Sequence, residues 1–201
     1  MDFTKVKSAL EARDFQVTVC PTKEAAAAYL GGQIDGKTVG FGGSLTLKEL
    51  GMYELLSAHN TVYSHWNNAE GTTPAETQKQ AMTADVYLTS VNGLAETGEL
   101  INIDGTGNRV SSTLFGHKKV YFVVGSNKLA PTYDEALWRA RNIASPKNAQ
   151  RLGVKTPCAA KGDKCYDCKS PARICRGLVV LWEKMKSCDM EVVLVDEALG
   201  Y

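Results

Sequence analysis

The chain has 201 residues, 44% of them hydrophobic, which is enough for one compact domain and excludes a mainly disordered chain. Its 23 lysines and arginines nearly balance 22 aspartates and glutamates, and no half or tail is strongly basic, so nothing favours a nucleic-acid partner. The apolar runs VYFVVG and GLVVLW are too short to span a bilayer, and the N-terminal MDFTKVKSALEARDF lacks the apolar stretch of a signal peptide. We therefore expect a soluble, cytoplasmic protein with no membrane partner.

Strand and helix patterns alternate along the first three quarters of the chain. Short apolar runs predict strands at 15–19, 38–42, 61–64, 84–90, 99–103 and 119–125. Apolar residues at helical spacing predict helices at 2–13 and 46–56. Cap and proline signals predict further helices from Thr22 through Leu30, at 74–83 and at 132–144, and one more turn or short helix at 145–152. Thr22 and Thr132 stand where N-caps are expected, and Pro74 where a helix begins. This alternation predicts an α/β fold, with a mostly parallel sheet and helices on both faces.

The last quarter of the chain has a different pattern. GLVVLWEK and MEVVLVDE are two β-rich runs separated by a polar turn, which predicts an antiparallel β-hairpin over 177–197. The preceding cysteine-rich loop, 156–175, has many lysines and arginines and few apolar residues, so its own hydrophobic burial would not order it. We place all of these elements in a single domain, 1–201.

A glycine loop follows the second predicted strand. In GFGGSLTLKELG the strand gives way to Gly42 and Gly43 and then to a helix, at the edge where open parallel sheets bind ligands. Backbone N–H groups and the hydroxyls of Ser44 and Thr46 suit a phosphate or a carboxylate. The third glycine of a dinucleotide-binding loop and the lysine of a P-loop are missing. The alternative is a tight turn in which Ser44 or Thr46 caps the helix.

A second polar segment, SVNGLAETGELINIDGTGNRVSS, lies between two predicted strands. Glu96, with Thr97 beside it, could act there as nucleophile or general base, and Arg109 could bind a carboxylate or phosphate through two hydrogen bonds. The alternative is two ordinary turns, with Glu96 solvated and Arg109 in an ion pair. His65 follows a strand in YSHWNN and could point into the same crevice, although a lone histidine is more often structural.

Four of the six cysteines lie within CAAKGDKCYDCKSPARIC: Cys158, Cys165, Cys168 and Cys175. A reducing compartment disfavours disulfides, and an exposed lysine-rich loop is a poor place to bury free thiols. A metal site with four thiolates fits best, and it would hold zinc or an iron–sulfur cluster. Cys165 and Cys168 form one CxxC knuckle, but the second knuckle of a zinc ribbon is missing. Free or redox-active thiols are the alternative.

Several stretches in this order resemble one known family. They are VGFGGSLTLKELG, NGLAETGELINIDGTGNRVSS, KVYFVVGSNK, TPCAAKGDKCYDCKSPARIC and a C-terminal ALGY, from about residue 35 to residue 201. Together they resemble the lactate-utilization (LUD) domain family. The resemblance implies a three-layer α/β fold similar to that of the ribose-5-phosphate isomerase, glucosamine-phosphate deaminase and CoA-transferase superfamily, in agreement with the alternation of strands and helices.

The resemblance also implies a function. Family members are linked to the oxidation of L-lactate to pyruvate and work beside iron–sulfur proteins. In related enzymes of the superfamily a glycine-rich loop binds phosphate or carboxylate, and a loop glutamate is the nucleophile of CoA transferases. The corresponding loop residues here are Gly40, Gly42, Gly43, Ser44 and Thr46. The carboxylate that fits is Glu96, which does not stand in the CoA-transferase signature.

Three hypotheses follow. The first is an LUD-type protein, accessory to lactate oxidation, that binds a small anionic metabolite or cofactor and has iron–sulfur oxidoreductase subunits as partners. The second is a stand-alone enzyme acting on a phosphorylated or acyl substrate, with Glu96 as base or nucleophile. The third is a non-catalytic partner module that docks through its metal loop and hairpin. A homo-oligomer is compatible with each of them.

Overall fold

The computed structural model describes residues 2–201, which form two sheets and the helices that flank them. The strands are β1 (Gln16–Cys20), β2 (Thr38–Phe41), β3 (Thr61–Tyr63), β4 (Val86–Thr89), β5 (Gly93–Ala95), β6 (Leu100–Asp104), β7 (Lys119–Gly125), β8 (Leu129–Ala130), β9 (Gly177–Leu181) and β10 (Asp189–Val195). The helices are α1 (Thr4–Glu11), α2 (Lys23–Gln33), α3 (Leu45–Glu49), α4 (Met52–Ser57), α5 (Pro74–Ala81), α6 (Asn108–Ser112), α7 (Tyr133–Arg139), α8 (Ser145–Arg151) and α9 (Pro157–Lys161).

The larger sheet is entirely parallel, with its six strands in the order β1-β10-β7-β4-β2-β3. Its inner strands β7, β10 and β4 are buried along nearly their whole length, whereas the edge strands β1 and β3 are partly exposed. Burial on both faces is expected of parallel strands, because the connecting helices cover the sheet from both sides. The predicted mostly parallel α/β sheet is confirmed.

Two hydrophobic cores lie on opposite faces of this sheet and make the fold three-layered. Neighbouring residues of β7 divide between them: Phe122 packs in the core that includes α1, and Val123 in the core that includes α2 and α4. Leu10 of α1 and Leu56 of α4 are fully buried in these respective cores. Within residues 2–201, no helix is both long enough and apolar enough to cross a membrane.

Several helix boundaries follow the predicted caps. The Thr22 hydroxyl accepts a hydrogen bond from the first turn of α2, and Thr132 forms a capping box with Glu135 at the start of α7. The single helix predicted over 46–56 is instead two helices, α3 and α4. They are separated at Gly51, whose φ of 64° lies in the left-handed region that favours glycine.

The smaller sheet corrects the prediction for the C-terminus. Its strands run in the order β8-β5-β6-β9, and β9 pairs antiparallel with β6. β10 instead lies inside the larger sheet, between β1 and β7. The predicted hairpin over 177–197 is therefore wrong, although both of its strands are present. Residues 190–195 are all buried, as a central parallel strand requires, whereas the start of β9 is exposed, as on a sheet edge.

The cysteine-rich segment is partly helical. Thr156 caps the short helix α9, which contains Cys158, and residues 162–176 follow without helix or strand. Several contacts attach this stretch to the fold, among them the Cys165 N–H, which donates to Asn142 Oδ1 at 3.2 Å. The Arg176 N–H donates to the carbonyl of Asp104 at 2.8 Å, and Arg141 forms an ion pair with Asp167 at 3.2 Å.

The close packing of β2 against α5 gives a first prediction. A Cβ at Gly40 would lie 2.4 Å from the backbone oxygen of Ala81 at the end of α5, and a backbone atom cannot easily move away. We expect Gly40→Ala to lower the free energy of unfolding by about 1–3 kcal/mol, measured by urea denaturation. Gly32→Ala is the matched control, because that site in α2 is open and alanine favours helix by up to about 1 kcal/mol. A Gly40→Ala protein as stable as wild type would contradict this packing.

Candidate functional site

A cavity of about 470 Å³ opens at the carboxyl ends of the strands of the larger sheet. Its walls come from the segments after β2, β3, β4 and β7, from the loop after β6, from α8 and from Gly200 and Tyr201. Open parallel sheets bind their ligands at this edge, because the loops that follow neighbouring strands converge there. The position agrees with the crevice that the sequence predicts.

The glycine loop forms part of the cavity wall. Gly43, Ser44 and Thr46 line the cavity, and Gly42 lines an adjoining cavity of about 450 Å³. The Ser44 hydroxyl also accepts a hydrogen bond from the first turn of α3, so it serves as the N-cap that the sequence offers as the alternative. Gly40 lies within β2, against α5, and lines neither cavity.

Lys128 is a buried amine in the cavity wall, immediately after β7. The residue is only 4% exposed, and Nζ donates to Thr46 Oγ1 and to Ser90 Oγ, each at 2.8 Å. Among residues 2–201, no carboxylate forms an ion pair with it. Burial, together with the charges of Arg139 and Arg109, lowers the pKa of Lys128 to about 7. Sequence reasoning missed this residue, although it ends the quoted stretch KVYFVVGSNK.

Arg109 lines the cavity, but protein acceptors surround its guanidinium. It donates to Asn92 Oδ1 at 3.1 Å, to the Ile103 carbonyl at 2.6 Å and to the side chain of Asn102. Its Nε also lies 3.5 Å from Asp104 Oδ2. These contacts correspond to the ion-paired alternative, and they hold the loop after β6 in place. Arg109 therefore shapes the cavity wall.

His65 lies in the cavity, as the sequence predicts. Its ring meets that of Trp66 edge-on with 6.0 Å between centroids, and the Arg151 guanidinium lies 5.1 Å from the Trp66 ring centroid. Burial, with the nearby charge of Arg151, lowers the pKa of His65, so its ring is mainly neutral at neutral pH. Arg151 and Arg173 line the same cavity. Sequence reasoning missed both arginines because α8 and the cysteine-rich segment are distant from the glycine loop along the chain.

Glu96 and Thr97 lie elsewhere, on the turn between β5 and β6. The Glu96 carboxylate forms an ion pair with Lys5 of α1 at 2.7 Å, and the Thr97 carbonyl accepts from Arg13 Nε at 2.8 Å. Neither residue lines the cavity or the adjoining one. The structure does not bring Glu96 together with the glycine loop, so its role as nucleophile or base stays a prediction with no ligand site beside it.

The four clustered cysteines are half-buried and free. In the described part of the chain, no three His, Cys, Asp or Glu side chains form a group that could hold a metal ion. Cys165 Sγ instead accepts the Asp167 N–H at 3.3 Å, and Cys175 Sγ accepts from Arg173 at 3.5 Å. The four-cysteine site stays a prediction.

Comparisons with known proteins agree with the fold. The sequence profile of the LUD domain matches residues 3–195. Among solved structures, the chain is similar to a DUF162 family protein from Deinococcus radiodurans, with a TM-score of 0.51 and 15% sequence identity over 97% of this chain and 99% of that one. At this identity the likeness concerns the fold alone. No match was found among proteins of curated function.

Burial of Lys128 predicts how stability depends on pH. Its pKa is about 7 in the folded protein and about 10.4 in an unfolded chain, so between these values the unfolded chain binds more protons. The free energy of unfolding should therefore rise with pH in this window, by up to about 1.4 kcal/mol per pH unit from this residue.

The measurement is urea unfolding of wild type, Lys128→Met and Lys118→Met between about pH 7 and about pH 9. Lys128→Met should lose this contribution, whereas Lys118→Met should follow wild type because its side chain is 84% exposed. If the free energy of unfolding rose with pH equally in wild type and Lys128→Met, the lowered pKa of a buried Lys128 would be contradicted.

Metal analysis tests the four-cysteine prediction directly. The protein is purified under nitrogen, and zinc and iron are measured for wild type and Cys168→Ser, with Cys188→Ser as a control outside the cluster. A four-thiolate site requires about one zinc ion or one cluster per chain, lost together with thermal stability in Cys168→Ser. Metal-free wild type, with no change in stability in Cys168→Ser, would show that the prediction is wrong.

Proposed function

Because the chain belongs to the LUD domain family, we propose that it binds a small carboxylate metabolite of lactate utilization in the cavity at the carboxyl ends of the larger sheet. Family membership suggests the role related to lactate utilization. The proposal includes the identity of this metabolite. It also includes a role for the protein beside an iron–sulfur oxidoreductase that converts L-lactate to pyruvate.

The observation that carries this proposal is unbalanced positive charge around the cavity. Lys128, Arg151 and Arg173 all line it, and none of them forms an ion pair with a carboxylate of residues 2–201. Asp104, the acidic side chain in the wall, already lies beside Arg109. A bound anion would supply the missing negative charge, and arginine binds carboxylates well through paired N–H groups.

The polar groups of the wall suit a small ligand with oxygen atoms. Hydroxyl and amide side chains line the cavity, those of Ser90, Asn92, Asn108 and Asn148. Its volume of about 470 Å³ falls within the range of about 300–1,000 Å³ typical of small-molecule sites. A three-carbon acid would fill only part of this space, which leaves room for a second molecule or a cofactor fragment.

The other two hypotheses have less support. An enzyme that uses Glu96 would need this carboxylate near a ligand site, but Glu96 is paired with Lys5 away from the cavity. The non-catalytic partner module was expected to dock through the metal loop and the C-terminal hairpin. No such hairpin exists, because β9 and β10 belong to different sheets.

Binding of carboxylates tests the proposal. We expect L-lactate and pyruvate to give saturable binding by isothermal titration calorimetry and to raise the unfolding temperature. Affinity should be higher at about pH 6 than at about pH 8, because Lys128 is protonated below its pKa of about 7. Lys128→Met should weaken binding by about 10- to 100-fold, the usual value of a charge-assisted hydrogen bond.

Lys118→Met is the matched control, since it removes one positive charge from an exposed site. It should leave the affinity within about twofold of wild type, because exposed charges are screened by solvent and salt. If neither carboxylate binds to wild type, or if both lysine variants bind as wild type does, the proposed function is wrong.

A further inference from the structure

Lys128 differs from the arginines of the cavity wall, because its surroundings favour the neutral form of its amine. Both groups that accept its hydrogen bonds are hydroxyls, those of Thr46 and Ser90. The nearby acid Glu49 makes no ion pair with it and accepts the backbone N–H of Gly200 at 2.8 Å. A buried ammonium without an acid partner is costly, so such an amine gives up its proton readily.

Neighbouring positive charges act in the same direction. Arg139 and Arg109 both disfavour protonation of Lys128, and the pKa of about 7 leaves roughly half of the amine neutral at neutral pH. A lysine that is desolvated and close to other cations is a well-known form of activated nucleophile, one that attacks carbonyl groups.

The position of the amine is also well defined. Lys128 lies in the short 3₁₀ turn directly after β7, the inner strand that pairs with β4 and β10. Thr46, one of its hydrogen-bond acceptors, is fully buried and donates in turn to the Leu199 carbonyl at 3.3 Å. Ser90, the other acceptor, follows β4 and lines the cavity. Side chains that follow β2 and β4, on one side of β7, therefore hold the amine at the cavity wall.

We propose that Lys128 is a nucleophile that forms an imine with the carbonyl carbon of a small 2-oxo acid bound in this cavity. The inference rests on the proposed function, since the arginine-lined cavity would bind the carboxylate while the ketone meets the amine. It also deepens that function, because an amine nucleophile requires a carbonyl group and a basic wall requires an acid group. A 2-oxo acid has both on adjacent carbons.

The step is a condensation without oxidation or reduction. The Nζ lone pair attacks the ketone carbon and forms a C–N bond, while the carbonyl π electrons move onto the oxygen, which takes up a proton. Nitrogen loses one proton to give a carbinolamine, whose hydroxyl takes up a second proton. The nitrogen lone pair then expels this oxygen as water and forms the C=N bond, and loss of the remaining proton from nitrogen gives the neutral imine. The Ser90 hydroxyl, 2.8 Å from Nζ, is placed to pass a proton between nitrogen and oxygen.

Trapping with borohydride tests the inference. Wild-type protein is incubated with pyruvate or glyoxylate as probes, reduced with sodium borohydride, and analysed by intact mass and peptide mapping. Hydride from borohydride converts the C=N bond into a stable secondary amine. We expect one adduct per chain on Lys128, with the mass of the oxo acid minus one water plus two hydrogens. L-Lactate, which has the carboxylate but no ketone, should form no adduct and should reduce labelling by competition.

Two variants complete the experiment. Lys128→Arg keeps a positive charge but cannot form the imine under these conditions, so it should lose the adduct. Lys118→Met removes an exposed lysine and should keep it. Peptide mapping of the wild type decides the matter even if Lys128→Arg does not fold.

Each outcome has one meaning. A single adduct on Lys128 that lactate suppresses supports the inference. Binding of both carboxylates without a trapped adduct, or adducts spread over exposed lysines, overturns the inference and leaves the proposed function intact. Absence of any carboxylate binding overturns both.

Discussion

The insertion of β10 between β1 and β7 is the interaction on which the rest of the structure depends. Asp189–Val195 of β10 pair with β7 along one edge and with β1 along the other. The first strand of the chain, β1, therefore joins the sheet only through the last strand, β10. The residues after β10 then return to the cavity. Asn127 accepts the Leu199 N–H at 3.1 Å, and Glu49 accepts the Gly200 N–H at 2.8 Å. One strand thus completes the sheet and brings the C-terminal residues to the cavity wall.

The chemistry of the cavity follows from placing Lys128 there without an acid partner. Burial of an amine lowers stability at neutral pH unless its charge is compensated. The surrounding structure holds the residue in this position nonetheless. Arg139 donates to the carbonyls of Asn127 at 2.8 Å and Asn92 at 2.6 Å, and so ties the turn that carries Lys128 to the segment after β4. Such perturbed groups concentrate at functional sites, where the loss in stability is balanced by chemistry.

The cysteine-rich segment belongs to the cavity whether or not it binds a metal. Arg173 and Ile174 line the cavity, and a Cβ at Gly105 would lie 2.5 Å from the Ile174 oxygen, so the two loops are in close contact. Arg173 in turn donates to the Sγ of Cys175. Any change of state at these thiols, whether by metal binding or oxidation, would therefore act directly on one wall of the proposed anion site.

Local sequence pattern determined the α/β class, most strands of the larger sheet and the caps at Thr22 and Thr132, because periodicity and capping depend on residues only a few positions apart. It also placed the glycine loop and His65 at one edge, since parallel strands end on the same side. Only the tertiary structure decided which strands lie next to β10, that Lys128 is buried, and that Glu96 pairs with Lys5. Two runs with the same β-rich composition can join different sheets, and the charge of a lysine depends on distant groups that surround it, so neither property can be predicted from neighbouring residues alone.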